Sequence, residues 1–316
     1  MLEMDGAGKS ITRRQCLTGL AAAAVTCLAR GLATSDRATL LVAISVETLA
    51  GANVNDARAA YRVWLKEVAR QYGARTAEPV PEIFVPSEEL IRDVRQNTID
   101  CYGITALEFA RVADLTDPDS LVLQDYLAKG IEYVFVVHAR SRFRTVADLR
   151  DANIVSHLHR DMVLLAPWLS TTLAENNLPG PEHFFASHKL SNSLTQVVLP
   201  VFFRRLDGAC LARQSWETAL ELNPQLGRDL RLLLVSPRVI PIAFGFRRNT
   251  NASSRKILID SIQRISTVTA GQQIVALYQS SGFVVRPISV MKATLEMVRR
   301  FERLSAQQAN PSKGRQ

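Results

Sequence analysis

The chain has 316 residues, a formal net charge of +8 and 47% hydrophobic residues. This apolar fraction is enough for a full core, and no segment after residue 34 is long and apolar enough to span a bilayer. The positive charge favours an anionic ligand or an anionic surface, although it is equally compatible with an ordinary basic soluble protein. No block of basic residues with interleaved aromatics stands out, so we expect no nucleic-acid partner.

Two motifs overlap near the N-terminus. The fragment GAGKS (residues 6–10) is similar to the end of a phosphate-binding loop, but Glu3 stands where that loop needs its first glycine. No strand can precede it either, so we exclude a P-loop. The pair Arg13 and Arg14, followed by the apolar stretch Leu17–Ala29, predicts an export signal of twin-arginine type over residues 1–34.

The end of this signal leaves alternatives open. RGLA (residues 30–33) places small residues at suitable offsets, so we expect cleavage near Ala33 and release into the periplasm. Cys27 follows the sequence AVT, which is a poor match to a lipid-attachment site, and lipid anchoring there is not favoured. An uncleaved N-terminal anchor stays open. Residues 1–34 hold four basic and two acidic residues, so cleavage leaves a chain of net charge near +6.

The first half of the exported chain alternates strand and helix patterns. Short apolar, partly β-branched runs predict strands at 39–45, 82–87 and 100–105. Amphipathic patterns predict helices at 55–72, 87–97 and 106–115. This βαβαβα order indicates a parallel sheet with helices on its faces.

A second unit of the same kind follows a long apolar strand pattern at 132–141. Further strands are predicted at 153–158, 182–187, 208–213, 231–236 and 240–248. Further helices are predicted at 145–151, 161–178, 191–206, 215–223, 253–269, 270–279 and 289–305. The prediction is an α/β fold of two lobes, 35–138 plus 237–300 and 139–236, with mostly parallel sheets, two crossover strands and a polar tail at 301–316.

Chemistry-bearing motifs are scarce in the exported chain. Cys101 and Cys210 lie in apolar strand patterns, and both a disulfide and two buried thiols stay open. There is no Cys-x-x-Cys, no His-Glu-x-x-His and no acidic calcium loop, so we expect no metal and no cofactor. There is no Gly-x-Ser-x-Gly elbow, and we do not expect an enzyme.

Three stretches carry a resemblance to a known family. They are NTIDCYGITALEF (97–109), FVVHARSRFRTVADLRDANI (135–154) and SNSLTQVVLPVFFRRLDGACLARQSWETALELNPQLGRDLRLLLVSP (191–237). The sequence resembles the phosphonate-binding-protein branch of periplasmic solute-binding proteins, which serve ABC importers for phosphate-like, phosphonate and sulfonate ligands. The resemblance covers about residues 39–300 and implies the type II periplasmic-binding fold, with hinge closure over the ligand.

The resemblance also implies ligand contacts on loops that follow the strands. Those loops give this set of candidate ligand-binding residues: Ser45, Thr48, Tyr102, Thr105, His157, His159, Arg160, Asp161, His188, Arg213 and Ser215. Arg160 and Arg213 are suited to clamp an oxyanion, although each is equally typical of a solvated surface. Tyr102 is suited to stack on a ligand or to pack in a core, and Ser45 and Thr48 are also common turn and capping residues.

One segment departs from the family's pattern. Phosphonate binders of this branch carry a Ser/Thr-rich turn at the first helix start of the second lobe, where hydroxyls and backbone N–H groups bind the anion. This chain has SHLHRDMVLL (156–165) there, with His157, His159, Arg160 and Asp161 in place of most hydroxyls. The resemblance therefore implies an anionic solute, either phosphonate-, sulfonate- or carboxylate-like.

The expected partners follow from the same resemblance. The solute would be delivered to an ABC permease in the inner membrane by a monomeric binding protein. The alternative function is ligand sensing, in which the protein reports to a separate membrane signalling partner.

The arginine pair of the export signal can be tested directly. Replacing Arg13 and Arg14 together by Lys should stop periplasmic accumulation, because the twin-arginine route reads the arginines and not only their charge. Immunoblotting of periplasmic fractions measures the outcome. Unchanged accumulation would instead indicate a general secretory signal, which tolerates lysine.

Overall fold

The computed structural model describes residues 41–49, 53–71 and 83–309. The predicted export signal, with Cys27 and the cleavage site at Ala33, lies outside these residues, as do residues 310–316 of the predicted polar tail. Residues 301–309 of that predicted tail belong to the last helix, which continues to Ala309.

The described residues form strands and helices in alternation. The strands are β1 Val42–Ser45, β2 Phe84–Val85, β3 Cys101–Thr105, β4 Leu121–Gln124, β5 Tyr133–His138, β6 Asn153–His157, β7 Ser187–Ser191, β8 Gly208–Ala212, β9 Leu230–Val235, β10 Ile242–Phe246 and β11 Phe283–Arg286. The α-helices are α1 Val54–Gln71, α2 Ser87–Arg95, α3 Ala106–Phe109, α4 Leu165–Glu175, α5 Pro181–Phe184, α6 Leu194–Phe202, α7 Arg213–Leu222, α8 Leu226–Asp229, α9 Ala252–Gln263, α10 Thr269–Leu277 and α11 Lys292–Ala309. Short 3-10 turns lie between them, among them Arg160–Met162.

The first sheet contains β1 to β4 with β10 and β11, in the spatial order β11-β4-β10-β3-β1-β2. β1 is parallel to β2 and β3, whereas β10 is antiparallel to β3 and β4, and β11 is antiparallel to β4. The strands β1 to β4 therefore all point the same way, and their carboxyl ends share one edge of the sheet.

The second sheet contains β5 to β9, in the order β7-β6-β8-β5-β9. β6 is parallel to β7 and β8, and β5 is antiparallel to β8 and β9. All of these strands except β5 thus run in one direction within the described part of the chain. The predicted α/β class with two sheets, mostly parallel in strand direction, is confirmed.

Two extended segments join the sheets. The chain leaves the first sheet after β4 and returns to it before β10, and the two segments pair through an antiparallel bridge between Ile131 and Val239. Each residue of this bridge donates its N–H to the other's carbonyl, at 2.8 and 2.9 Å. Paired extended segments of this kind can bend together, which is what a hinge between two lobes requires.

The last helix adds a third connection between the lobes. α11 follows β11 of the first sheet and packs against both α3 of the first lobe and α4 of the second. Leu295 and Val298 on α11 lie in the same buried cluster as Trp168 on α4. An ion pair between Arg300 and Glu175 lies beside this contact.

Several predicted elements differ from the observed ones. The strand predicted at 182–187 is wrong: Pro181 begins the short helix α5, where its fixed φ suits a first turn, and the strand follows at Ser187–Ser191. The short strands β4 and β11 were not predicted; each has four residues and they pair antiparallel with each other. The limits of the two lobes stay a prediction. The predicted first lobe includes residues up to 138, and therefore β5, whereas β5 pairs with β8 in the second sheet.

Helix α1 shows how local pattern becomes packing. Ala57, Ala60, Tyr61 and Trp64 are buried, at the spacing of one helix face, whereas Val63 on another face is 51% exposed.

Both cysteines of the described residues are buried as free thiols, Cys101 in the first sheet and Cys210 in the second. Burial raises the pKa of the Cys210 thiol to about 12, so it is inert at neutral pH.

The packing of β8 against β5 generates a stability prediction. A Cβ atom on Gly208 would lie 2.3 Å from Cε1 of the fully buried Phe135 and 3.2 Å from the carbonyl oxygen of Val136. Gly208→Ala should therefore lower the free energy of unfolding by about 1–3 kcal/mol, as overpacking of a filled core does. Urea denaturation measures the change. Gly282→Ala is the matched control, because a Cβ there meets no atom within 4 Å; equal losses in both variants would contradict the packing argument.

Candidate ligand-binding cleft

A cavity of about 180 Å³ lies between the two lobes, at the carboxyl ends of their strands. The first lobe contributes Tyr126, which follows β4, and Gln279, which follows α10. The second lobe contributes the segment after β6 and the start of α7: His159, Arg160, Asp161, Ala212, Gln214, Ser215 and Thr218. This location agrees with the rule that open α/β sheets bind ligands outside the carboxyl ends of their strands.

Arg160 connects the two lobes. Its side chain is buried, with 7% of the residue exposed, and its Nη1 donates to the carbonyl oxygen of Leu277 at 2.9 Å. Its Nη2 donates to the carbonyl oxygen of Tyr278, and its guanidinium carbon lies 5.9 Å from the centroid of the Tyr278 ring. These carbonyls end α10, so the cation is placed at the negative end of a helix. The Nε atom of Arg160 has no hydrogen-bond partner among the described residues.

The expected placement of Arg160 at the start of an α-helix is wrong. Arg160 opens the 3-10 turn Arg160–Met162, and the α-helix that follows begins only at Leu165. The first-turn N–H groups of that helix therefore do not accompany the guanidinium. The N-terminus at the cavity is that of α7, whose N-cap residue Ala212 provides no side-chain cap. The first turn of a helix leaves N–H groups without intrahelical acceptors, and in α7 this turn lines the cavity.

Asp161 is a buried carboxylate beside Arg160. Its Oδ1 and Oδ2 accept from the Tyr126 hydroxyl of the first lobe at 3.0 and 3.2 Å, and Oδ1 lies 3.8 Å from Nε of Arg160. Its backbone carbonyl accepts from the Tyr133 hydroxyl at 2.5 Å. Burial and the neighbouring charge of Asp161 raise the pKa of Tyr126, so this hydroxyl stays a donor at neutral pH. Arg160 and Asp161 therefore both form contacts that bridge the lobes.

His157 and His159 stack on each other, with ring centroids 5.6 Å apart and an interplanar angle of 19°. Nδ1 of His159 accepts from the backbone N–H of Asp161 at 3.3 Å, whereas Nδ1 of His157 has no partner in the described structure. Burial, and then the charge of His159, lower the pKa of His157. Burial also lowers the pKa of His159, with Asp161 opposing the shift and Arg160 adding to it. Both imidazoles are thus held neutral at pH 7.

The predicted residues of the first lobe form a separate buried network. Ser45 donates to Oε1 of Glu108 at 2.5 Å, and the Ser45 carbonyl accepts from the Thr48 hydroxyl at 2.8 Å. Oε2 of Glu108 accepts from the backbone N–H and the hydroxyl of Thr105, at 2.6 and 2.8 Å. Thr105 and Glu108 form the capping box of α3. These groups lie at the ends of β1 and β3, but their hydrogen bonds are made with each other.

Tyr102 and His188 lie elsewhere than expected. Tyr102 is fully buried within β3 and its hydroxyl bonds to Thr116 at 2.6 Å, so it packs in the core of the first lobe. His188 was expected on a loop after a strand, yet it lies inside β7, where its Nε2 is 2.7 Å from the Ser156 hydroxyl. Neither side chain lines the cavity.

Arg213 is bound to a crossing segment and does not line the cavity. It forms an ion pair with Glu132, and its backbone N–H donates to the Glu132 carbonyl at 2.8 Å. Arg238, on the returning segment, lies 3.7 Å from the same carboxylate. Glu132 thus holds together the start of α7 and the two crossing segments. Ser215, in the first turn of α7, does line the cavity as expected.

Four further polar residues line the cavity that were not among the candidate residues. Tyr126, Gln214, Thr218 and Gln279 supply two hydroxyls and two amides to the cavity. Thr218 could have been found from Ser215, which lies three residues before it on the same helix face, and Gln214 lies four residues before Thr218. Tyr126 required the strand β4, and Gln279 follows a helix rather than a strand. Within residues 41–49, 53–71 and 83–309, no cluster of three or more potential metal ligands is present.

The shifted pKa of His157 predicts a pH dependence of stability. In the unfolded chain its pKa is near 6.5, whereas in the fold it is lower. The stabilising contribution of the neutral ring is therefore present above pH ~6.5 and is lost as the pH falls through that value toward the folded pKa. Urea unfolding between neutral and mildly acidic pH should show a smaller loss for His157→Asn than for the parent chain. An identical variation of stability with pH would contradict this, and His183→Asn, at an exposed ring, is the control.

Comparison with known structures supports the fold. PhnD1 from Prochlorococcus marinus in complex with methylphosphonate aligns at a TM-score of 0.53 and 17% identity, covering 84% of this chain and 99% of that one. XAC2383 from Xanthomonas citri bound to ATP aligns at a TM-score of 0.58 and 15% identity, covering 84% and 98%. A binding-protein component of an ABC phosphonate transporter from Pseudomonas aeruginosa aligns at 0.52 and 15%, covering 87% and 90%. The type II periplasmic-binding fold implied by the sequence is thus confirmed.

Sequence comparison identifies the family. No curated protein sequence matches the chain significantly. The sequence profile described as the periplasmic substrate-binding protein of phosphonate ABC transporters matches residues 51–286, which is more than half of the chain. In the part of the chain that the structure describes, no helix is long and apolar enough to cross a membrane. The chain belongs to the family of periplasmic substrate-binding proteins of phosphonate ABC transporters.

Proposed function

We propose that the chain captures a small anionic solute in the cleft by hinge closure and delivers it to an ABC permease in the inner membrane. The observation that carries this proposal is that residues of both lobes line the cavity. A solute in such a cavity contacts both lobes at once, and it would be enclosed when the lobes come together. Its volume of about 180 Å³ is below the ~300–1,000 Å³ typical of sites for drug-sized ligands. We therefore infer a solute of a few non-hydrogen atoms.

Closure would be supported by direct bonds between the lobes. The guanidinium of Arg160 reaches the Leu277 and Tyr278 carbonyls, and the Tyr126 hydroxyl reaches Asp161. Opening the cleft breaks these bonds and exposes their groups to water, so their net contribution to closure is small. A solute that adds contacts to both walls would then shift the equilibrium toward the closed form.

The proposal that the solute is an anion rests on the polar groups that face the cavity. Arg160 and Asp161 balance each other in charge, and both histidines are neutral near pH 7. The N-terminal turn of α7 adds a partial positive charge, with the Ser215 and Thr218 hydroxyls beside it. This excess favours an oxyanion of the phosphonate, sulfonate or carboxylate type. The methylphosphonate and ATP of two similar structures are also phosphorus oxyanions.

Of the residues predicted from the sequence, we propose His159, Arg160, Asp161 and Ser215 as solute contacts, together with Gln214 and Gln279. Arg213 would act through the hinge, by holding α7 against Glu132. Ser45, Thr48 and Thr105 would support the first-lobe wall through Glu108. The family consists of binding proteins, which favours a chain that works by binding alone and favours uptake over sensing.

A thermal-shift screen tests the function. Methylphosphonate, methanesulfonate, acetate and inorganic phosphate are the probes, with glycerol as a neutral comparison. A probe at one hundred times its Kd should stabilise the chain by about 2.7 kcal/mol, which is readily measured as a rise in Tm. Stabilisation by glycerol but by none of the four anions would refute the anionic class.

Arg160 gives the sharpest test of the cleft. Arg160→Ala should weaken binding of the probe identified in the screen by roughly 1.5–3 kcal/mol, the usual worth of a hydrogen bond to a charged group. Arg160→Lys should also lose affinity, because a point charge cannot replace a planar fork. Both should lower the Tm, since two contacts with the first lobe are lost.

The matched control separates folding from binding. Arg247 is also largely buried and pairs with Asp100 at 3.1 Å, but it does not line the cavity. Arg247→Ala should lower the Tm and leave the affinity measured by titration calorimetry unchanged. Equal affinity losses in the Arg160 and Arg247 variants would show that the effect is not specific to the cleft.

A further inference from the structure

The edge of the second sheet opposite the cleft concentrates positive charge. It is formed by the end of β5 and the starts of β6, β8 and β9, which lie side by side in the sheet. The flanking segments are 138–153, 203–207 and 228–231, and we call this surface the basic face. These segments contain eight arginines and four aspartates, with no lysine or glutamate, which is a net charge of +4.

Direct contacts join the three segments into one surface. The Ala139 N–H donates to the Asp229 carbonyl at 2.7 Å, and the Asn153 N–H donates to the Asp207 carboxylate at 2.8 Å. Nε of Arg204 lies 3.3 Å from Nε2 of His138. The charges are therefore close in space, although up to ninety residues separate them in sequence.

The arginines of the basic face are only partly balanced by acidic residues. None of the eight forms an ion pair in the described structure, whereas Arg111, Arg213, Arg247, Arg255 and Arg300 elsewhere all do. Two of the four aspartates accept from backbone groups instead: Asp148 from the N–H groups of Arg144 and Thr145 at 2.7 and 2.8 Å, and Asp207 from that of Asn153. Arg144 and Arg231 even donate to one carbonyl, that of Phe143.

An exposed aromatic ring accompanies this charge. Phe203, at the end of α6, is 58% exposed, and the guanidinium of Arg205 lies 5.8 Å from its ring centroid. Arg204 between them has a φ of 55°, so the chain turns sharply and presents this tip outward. An apolar ring flanked by arginines is the combination that binds the boundary between lipid headgroups and acyl chains.

We propose that the basic face is a docking surface for an anionic lipid membrane. Unpaired arginines bind anionic headgroups through charge, and Phe203 inserts into the headgroup boundary. The lipid occupant follows from the periplasmic family, which places the protein beside the inner membrane, so the inference rests on that part of the proposed function. Because the face lies at the opposite strand ends from the cavity, membrane contact leaves the cleft open to solute.

Vesicle co-sedimentation of the full chain tests the proposal. Binding should be stronger to vesicles of phosphatidylglycerol and phosphatidylcholine in equal parts than to pure phosphatidylcholine, and should weaken as salt screens the charges. Arg204→Gln combined with Arg205→Gln should reduce the partition coefficient at least about tenfold at low salt, given the usual contribution of each basic residue near an anionic surface. Phe203→Ser should reduce binding while leaving its salt dependence intact.

The control pair carries the same charge change on α11. Arg299 and Arg303 are exposed and form no ion pair in the described structure, and Arg299→Gln with Arg303→Gln should leave the partition coefficient within about twofold of the parent. All variants keep residues 1–40, so any membrane affinity of that segment is common to them. If the Arg204 and Arg205 variant fails to fold, Arg140→Gln with Arg142→Gln provides the same test.

Two outcomes would overturn the proposal: no preference for phosphatidylglycerol vesicles, or equal losses in the basic-face and control variants. Solute binding is scored separately, through the methylphosphonate-induced rise in Tm. Vesicle binding without any effect of the anionic probes would reject the anionic solute alone and support the docking surface. Probe binding without vesicle preference would reject the docking surface alone.

Discussion

The buried guanidinium of Arg160 is the constraint on which the cleft depends. A cation with only 7% of its residue exposed must find acceptors, and in this fold they come from the other lobe, at the end of α10. The carbonyls that end a helix carry partial negative charge and lack intrahelical donors, so they suit a cation without requiring a second formal charge. Arg160 is thus buried by the contact between the two lobes.

The neighbouring groups follow from that burial. Asp161 lies 3.8 Å from the guanidinium, and its own carboxylate is bonded to Tyr126 of the first lobe. The low pKa of the two stacked histidines keeps further positive charge away from Arg160 at neutral pH. The cleft therefore contains charged groups but little net charge, and the groups left to act on a solute of the proposed kind are dipoles: the α7 N-terminus, three hydroxyls and two amides.

The sequence predicts those features that depend on neighbouring residues. Strand and helix alternation, and therefore the α/β class, follow from local periodicity. Arg160, Asp161 and Ser215 were implied by the family resemblance, which places ligand contacts after strands, and all three line one cavity. The partners of those residues were not predictable: Arg160 bonds to a carbonyl 117 positions away, and nothing in the sequence near either residue specifies that contact. Tyr102 shows the same limit, because only the sheet register decides that its ring points into the core. The basic face could not be predicted from the sequence, because its arginines come from three segments that only the fold brings together.

Charge is thus arranged differently at the two edges of the second sheet. At the carboxyl ends of the parallel strands, Arg160 and Arg213 are each beside a carboxylate, and they are bonded to the other lobe and to a crossing segment, respectively. At the amino ends, the arginines form no ion pair in the described structure, and backbone N–H groups bind two of the four aspartates, Asp148 and Asp207. Leaving like charges unpaired costs stability through repulsion, and neither the fold nor the cleft requires it. The pairing at one edge belongs to the contacts between the lobes, and an anionic surface outside the molecule, as proposed above, is the partner that would explain the unpaired charges at the other.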